Sequence, residues 1–262
     1  MFDLKKIVSL FMKKTGLCVL SALIIFILPA VSSAEAKWFL DVETGLVTSG
    51  YNDVRIPGDT GTEFSLSEDL QTDSSAFFRF RFGRQFGQRH TLFVFVAPLS
   101  LNASGSVNQD ILFFEETFPA NTPLSGVYRF NSYRLTYRYD FLRKKRLTLG
   151  VGFTAKIRDA AIRVEGGGLS SEKTNVGFVP LLNFHLNWLF SDRISLLFEG
   201  DALASPGGEG RAEDVLLALQ LHLHQNLILR AGYRIIEGGA NVEEVYNFAL
   251  LHFFVVGATV RF

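Results

Sequence analysis

The chain has 262 residues, no net formal charge, and 48% hydrophobic against 20% charged residues. A balanced charge excludes the basic footprint that nucleic-acid-binding domains carry. The single cysteine is Cys18. A mature chain without that residue has no thiol for a disulfide or a cysteine metal site, and no cofactor is expected.

The N-terminus has the pattern of a secretory signal peptide. Four lysines up to Lys14 precede an apolar segment at 16–28, and small residues follow Pro29. The apolar segment is too short for a comfortable transmembrane helix, which needs about 20 residues. We therefore predict a cleaved signal peptide over 1–36 and one secreted domain over 37–262. An uncleaved membrane anchor is the alternative.

From residue 37 onward, apolar and polar residues alternate in segments of about ten residues, the length of a tilted membrane-spanning strand. In the segment 132–141, Tyr133 and Tyr137 share one face while Arg134 and Arg138 share the other. A strand separates the two sets cleanly, whereas a helix would spread the charges around its surface. The predicted strands, in chain order, are 38–50, 76–82, 90–101, 132–141, 146–158, 178–190, 194–201, 215–224, 227–235 and 247–262.

The connections between these strands alternate in length. The short ones are 83–89, 142–145, 191–193 and 225–226, and the long ones are 51–74, 102–126, 162–175, 205–214 and 237–246. Short periplasmic turns and long external loops are typical of outer-membrane barrels. The sequence therefore predicts an all-β fold, a single antiparallel transmembrane β-barrel. Ten strands are expected, with eight or twelve as alternatives because Pro98 and Pro180 fall inside predicted strands.

A soluble periplasmic sandwich would also alternate, with its apolar face forming the core. Aromatic residues near the strand ends, such as Trp38, Tyr139 and Trp188, favour the barrel because they fit its interfacial girdles. The chain also ends in Phe262 after an alternating segment, which resembles the C-terminal assembly signal of outer-membrane barrels. We therefore expect an integral outer-membrane protein. Its expected partners are outer-membrane lipids, lipopolysaccharide and the barrel assembly machinery, and no nucleic acid.

A ten-strand barrel is narrow enough for side chains to fill it. Because buried charges need partners, we expect an ion-pair network in the lumen. Closure would bring Arg261 near Asp41. The predicted members are Asp41, Glu43, Arg79, Arg81, Arg134, Arg138, Asp140, Lys156, Arg158, Glu199, Asp201, Arg230, Arg234 and Arg261.

Several other side chains have functional groups suited to metal binding or catalysis. His185, His222 and His224 are weak candidates for a metal site at the periplasmic end. Ser195 faces inward near a periplasmic turn, and a hydrolase would need a histidine within hydrogen-bond reach of it. Asp201 with Arg158 and Arg234 forms the best candidate cluster at the outer rim, although an ion-paired structural role is the simpler interpretation.

The external link at 102–126 carries an apolar segment, Ile111 to Phe114, and Phe118. If these side chains are exposed, they could contact lipopolysaccharide, a partner or a small hydrophobic ligand. The alternative, which the pattern slightly favours, is a strand pair extending above the membrane.

The stretch 128–139, YRFNSYRLTYRY, resembles a signature of small outer-membrane β-barrel proteins of Gram-negative bacteria, and segments 153–160, 237–240 and 244–249 add to it. The resemblance implies fold and location but no activity. The size is similar to that of omptin proteases, whose catalytic acids are not found here. We predict a non-enzymatic, structural or ligand-binding barrel. The alternatives are a narrow, porin-like channel for small, mildly anionic solutes, and a rim hydrolase acting on lipid or peptide.

Overall fold

A computed structural model describes residues 37–205 and 207–262, and the predicted signal peptide lies outside the described residues. The strands, in chain order, are β1 (Lys37–Arg55), β2 (Phe64–Ser65), β3 (Ser75–Phe86), β4 (His90–Ala97), β5 (Ser100–Gly105), β6 (Ile111–Phe113), β7 (Glu116–Phe118), β8 (Leu124–Arg143), β9 (Leu147–Gly166), β10 (Leu169–Leu189), β11 (Ile194–Ala204), β12 (Gly210–His224), β13 (Leu227–Val242) and β14 (Val245–Arg261). No helix in the described ranges is long and apolar enough to cross a membrane.

Ten antiparallel strands close into a barrel within this part of the chain, which confirms the predicted number. β4 and β5 together form one of the ten, since both pair with β8. The ring closes where β14 returns to β1, with Arg261 opposite Phe39. Closure satisfies the backbone donors and acceptors of both terminal strands, as a hydrocarbon environment requires.

The two prolines behave differently. Pro98 lies in the break between β4 and β5, where its missing N–H removes a ladder bond. Pro180 stays inside β10, opposite Ala155 of β9.

The outer surface of the barrel carries an apolar belt. The side chains of Phe178, Leu182 and Phe254 are 65%, 62% and 58% exposed. A soluble sandwich would bury this apolar face as its core. In the closed ring the same face lies on the outside and is exposed, so the sandwich alternative is wrong. Apolar patches of this extent are unfavourable in water but suit lipid. Above the belt the outward side chains become polar, as at Thr48 and Asn131, and aromatic rings such as Trp188 lie at the end that holds the termini.

Each of the four short connections predicted from the sequence contains a turn between barrel strands, but the first is shorter than predicted because β3 continues to Phe86. Three predicted long links are wrong, because much of 162–175, 205–214 and 237–246 continues the neighbouring strands. β9 and β10 meet at the two-residue turn Gly167-Gly168, where both φ angles are positive (59° and 82°). Glycine adopts such angles without strain, and they match the twist of a hairpin.

The two remaining outer connections, 56–74 and 106–123, fold back over the lumen, and we call them the cap. β6 and β7 form a hairpin inside it, so the predicted strand pair at the apolar segment exists. The apolar side chains on its inner face are not exposed, however, because Ile111, Phe113 and Phe118 are each 0% exposed. The interpretation of these residues as an exposed contact surface is wrong, since the cap and the barrel wall cover them.

The cap is tied to itself and to the wall. The amide of Phe114 donates to the carbonyl of Ile56 over 2.7 Å. The Phe64 and Phe113 rings meet edge to face with centroids 6.0 Å apart. Ser171 of β10 donates to the Phe113 carbonyl over 3.2 Å. At the outer end of the barrel, the cap therefore packs against the inner side of the wall.

Candidate functional site

The centre of the lumen holds a layer of charged side chains directed inward from β1, β3, β8, β11, β12 and β13. Among residues 37–205 and 207–262 it comprises five arginines and five carboxylates, which balance in charge. We call this layer the septum. Its members are Asp41, Glu43, Arg79, Arg81, Arg134, Glu199, Asp201, Asp214, Arg230 and Arg234.

Asp214 accepts hydrogen bonds from three arginines of the septum. Arg79 and Arg134 each donate to its Oδ2 over 2.6 Å, and Arg234 donates to its Oδ1. Asp214 is absent from the predicted members because the predicted strand begins only at Val215, whereas β12 begins at Gly210. Continuing the inward alternation from Gln220 back along β12 would have found it.

Glu43 is the second centre of the layer. Arg234 donates to its two carboxylate oxygens over 2.9 and 3.0 Å, and Arg230 donates over 3.1 Å. Arg230 also binds Asp41. Closure does not pair Asp41 with Arg261, which lies opposite Phe39 in the strand register.

The remaining members bind in the same way. Arg81 donates to Glu199 over 2.8 Å, and Arg134 donates to Asp201 over 2.8 Å. Asp201 is 7% exposed, so it is not part of a rim cluster. Its expected partner Arg158 instead donates to Asn175 of β10.

Aromatic rings pack against the arginines of the septum. The guanidinium carbons of Arg79 and Arg134 lie 4.8 and 4.9 Å from the ring centre of Phe95 on β4. Cation–π contacts of this kind strengthen when water is excluded. A space of about 20 Å³ remains beside Arg81 and Glu199, enough for one water molecule.

The septum separates two cavities that share no lining residue. The outer cavity has a volume of about 410 Å³ and opens between the cap and the extended strands β8 to β14. The inner cavity has a volume of about 240 Å³ and lies at the end that holds the termini.

The inner cavity contains several predicted residues. Arg138 and Asp140 face each other at 3.3 Å, and Arg261 lies on the wall. His185 Nδ1 is 3.5 Å from Glu199, while His222 also lines the cavity.

The weak metal candidates do not share a site. His222 contacts Ser195, whereas His224 is exposed beside the turn to β13. In the part of the chain that the structure describes, no group of three or more histidine, cysteine or acidic side chains could hold a metal ion.

Ser195 and His222 lie within hydrogen-bond distance of each other. Ser195 Oγ is 2.8 Å from His222 Nε2, but it also donates to Gln220 Oε1 over 3.0 Å. The serine is 0% exposed, so a substrate cannot reach its hydroxyl without rearrangement of the wall. The pair therefore ties β11 to β12 and lacks the accessibility of a nucleophile.

The outer cavity holds the other two predicted cations, Lys156 and Arg158, on the inward face of β9. Lys156 lies opposite Arg134 in the β8–β9 register and is 4% exposed. Its Nζ lies 4.8 Å from the ring centre of Phe130. Neither cation has a carboxylate partner among the described residues.

Beyond the belt, Glu237 of β13 joins Arg211 and Tyr51. Arg211 Nε and Nη2 bind the Glu237 carboxylate in a bidentate pair at 2.8 and 2.7 Å, and the Tyr51 hydroxyl donates to it. Partial burial acts to raise the pKa of Glu237, but these hydrogen bonds outweigh it and leave the pKa lowered.

The sequence matches neither a family profile nor a curated protein. Among solved structures, the outer membrane protease OmpT of Escherichia coli has a TM-score of 0.55 at 8% identity, with 89% of this chain and all of that chain covered. Ail, the attachment invasion locus protein of Yersinia pestis, has a TM-score of 0.38 at 13% identity, with 87% of this chain and all of that chain covered.

The fold is that of an outer-membrane β-barrel. Together with the apolar belt, this confirms the sequence-based resemblance and the predicted integral outer-membrane location. At 8% identity the likeness to OmpT concerns the fold alone.

Proposed function

We propose that the protein is a non-conducting outer-membrane barrel that binds a small ligand in its outer cavity. The observation that carries this proposal is the septum, which lies directly beneath a cavity of ligand size. Because the septum closes the inner end of this cavity, the cavity is better suited to binding a small molecule than to letting one pass through the barrel. The cap packs against one side of the same cavity, which gives the external connections a part in shaping it.

The septum is the main argument against the channel alternative. An ion crossing it would have to displace paired, hydrogen-bonded side chains such as Arg134 and Asp214. Breaking a buried pair costs about 3–5 kcal/mol for one partner, and several pairs share partners here. We expect no discrete conductance at ordinary voltages.

Planar bilayer recordings test the closed lumen. The wild-type mature protein is expected to give no single-channel openings. The double variant Arg134→Ser/Asp201→Ser removes one donor and one acceptor together and is expected to create a conducting gap. Arg138→Ser/Asp140→Ser, which removes a pair in the inner cavity, is the matched control and should stay silent. Discrete wild-type openings would contradict the proposal.

We further propose that the protein is not an enzyme. The complete burial of Ser195 and the donation of its hydroxyl to Gln220 support this proposal against a hydrolase.

For partners, we propose outer-membrane lipids and lipopolysaccharide around the belt, and the barrel assembly machinery during biogenesis. Phe262, 65% exposed beside the first strand, supports a role for the C-terminus in assembly.

A further inference from the structure

We infer that the ligand of the outer cavity is a small amphiphile with one anionic head group, a carboxylate or a phosphate, held by Lys156 and Arg158. This inference rests on the proposed binding function of the cavity and names the chemistry of its ligand. It is carried by two buried or half-buried cations without carboxylate partners and by apolar walls around them.

The first step is the charge balance of the lumen. The septum neutralises itself, and each guanidinium nitrogen of Arg134 donates one hydrogen bond, to Ser132, Asp201 or Asp214. Lys156 stands opposite Arg134 as a like charge, and like charges directly opposed across strands destabilise a sheet. Asp201 and Asp214 form their ion pairs with Arg134, and Lys156 forms none with any carboxylate among the described residues.

The second step is the position of the two cations. Lys156 and Arg158 are two residues apart on the inward face of β9, a rise of about 7 Å along a strand. Arg158 uses Nη2 to bind Asn175, while its Nε is buried without a partner in the described chain. One carboxylate or phosphate placed between them can accept from both side chains.

The third step is the wall of the cavity. Leu203 of β11 is 38% exposed although it lies on the inward face, and Ile236 of β13 lines the same space. Tyr128 and Phe130 stack at 6.0 Å beside Lys156. Apolar walls around a charged floor suit a molecule with an apolar body and an anionic end.

Acidic side chains also line the cavity, but at its mouth and not beside Lys156 and Arg158. Glu209, Glu213 and Glu244 are exposed at the mouth, and Glu237 is occupied by Arg211. They leave Lys156 and Arg158 free to bind an anion, and they disfavour a ligand with several negative charges.

Calorimetric titration of the mature protein in lipid nanodiscs tests the inference, with empty nanodiscs subtracted. The probes are 4-phenylbutyrate, its neutral analogue 4-phenylbutan-1-ol, and inorganic phosphate. We expect wild-type protein to bind the carboxylate at least tenfold more tightly than the alcohol. Inorganic phosphate should compete only at much higher concentration, because it lacks the apolar body.

The variants isolate the charge. Lys156→Met and Arg158→Gln should each weaken carboxylate binding at least tenfold and leave binding of the alcohol within threefold of wild type. Lys145→Met makes the same chemical change on an exposed turn and should bind as wild type does. If Lys156→Met folds poorly, Arg158→Gln carries the test. A gain in the unfolding midpoint with saturating 4-phenylbutyrate, seen for wild type but reduced in the variants, provides a second readout.

The outcomes distinguish failure of the proposed ligand chemistry from failure of the proposed binding function. Equal binding of carboxylate and alcohol by wild type, or an unchanged preference in both variants, would overturn the anionic head group and leave the binding cavity standing. Phosphate competing at equal concentration would overturn the apolar body. Absence of binding by all three probes would contradict the proposed function as well.

Discussion

Three of the five arginines in the septum donate hydrogen bonds to Asp214. Removing its charge leaves those arginines buried without full compensation, and loss of one partner of a buried ion pair costs about 3–5 kcal/mol. Asp214→Asn is therefore expected to lower the free energy of unfolding by about that amount, measured by urea titration in lipid vesicles.

The neighbouring Glu213 provides the matched control for this prediction. It is exposed at the mouth of the outer cavity, so Glu213→Gln should change the free energy of unfolding by about 0.5 kcal/mol or less. Similar unfolding curves for the two variants would contradict the central place of Asp214 in the lumen.

Glu237 gives the outer end of β13 a dependence on acid. Its pKa is lowered in the folded state, so its stabilising pairing is complete above the ordinary carboxyl pKa of about 4.3 and is lost as the pH falls through the lower folded value. Amide exchange over 238–242, corrected for its intrinsic pH dependence, should accelerate below about pH 4. Glu237→Gln should abolish this step, and an identical step in the variant would contradict the assignment.

At the residue scale, the alternation along the strands predicted which side chains face the lumen, as for Arg79 and Arg134. It could not give their partners. Arg230 binds Asp41 across β14, a choice set by the register of three strands together. Asp214 was missed because the polar residues around it resemble a loop.

The cap is the element whose burial the sequence did not reveal. A cap side chain such as Phe113 is apolar but gains its cover from distant strands, so its sequence neighbourhood alone cannot distinguish it from an exposed loop residue. The extended outer strands were also missed. Above the belt the outward face is polar, and the alternation of apolar and polar residues that marks a spanning strand disappears.

Phe113 holds the cap in place and gives a prediction at this scale. Replacing a fully buried phenylalanine with alanine costs about 3–5 kcal/mol, and here the cost falls on the cap. Phe113→Ala is expected to make 106–123 sensitive to cleavage by Glu-C protease at Glu115 or Glu116, while the barrel itself stays resistant.

Leu112→Ala is the matched control, because Leu112 lies on the other face of β6 and is only half-buried. It should be cleaved slowly, as wild type is. Equal cleavage of both variants would show that the cap is not held by the side chains on its buried face.

The whole molecule sorts its side chains into three environments: lipid outside, a self-neutralising layer of charge in the middle of the lumen, and a cavity on either side of that layer. The first two follow from the period-two pattern and the cost of unpaired buried charge. The outer cavity also depends on where the cap packs, because Ile56 lines it. This arrangement explains how a chain without net charge can carry many charged residues in a membrane.

Single-cysteine spin labelling tests this sorting most directly, because the chain's one cysteine, Cys18, precedes residue 37. Leu182→Cys lies on the belt and Val179→Cys on the wall of the outer cavity. In lipid bilayers the label at 182 should relax with oxygen and not with a water-soluble nickel chelate, and the label at 179 should respond to the chelate. A label at 182 that responds to the chelate while the label at 179 does not would contradict the account.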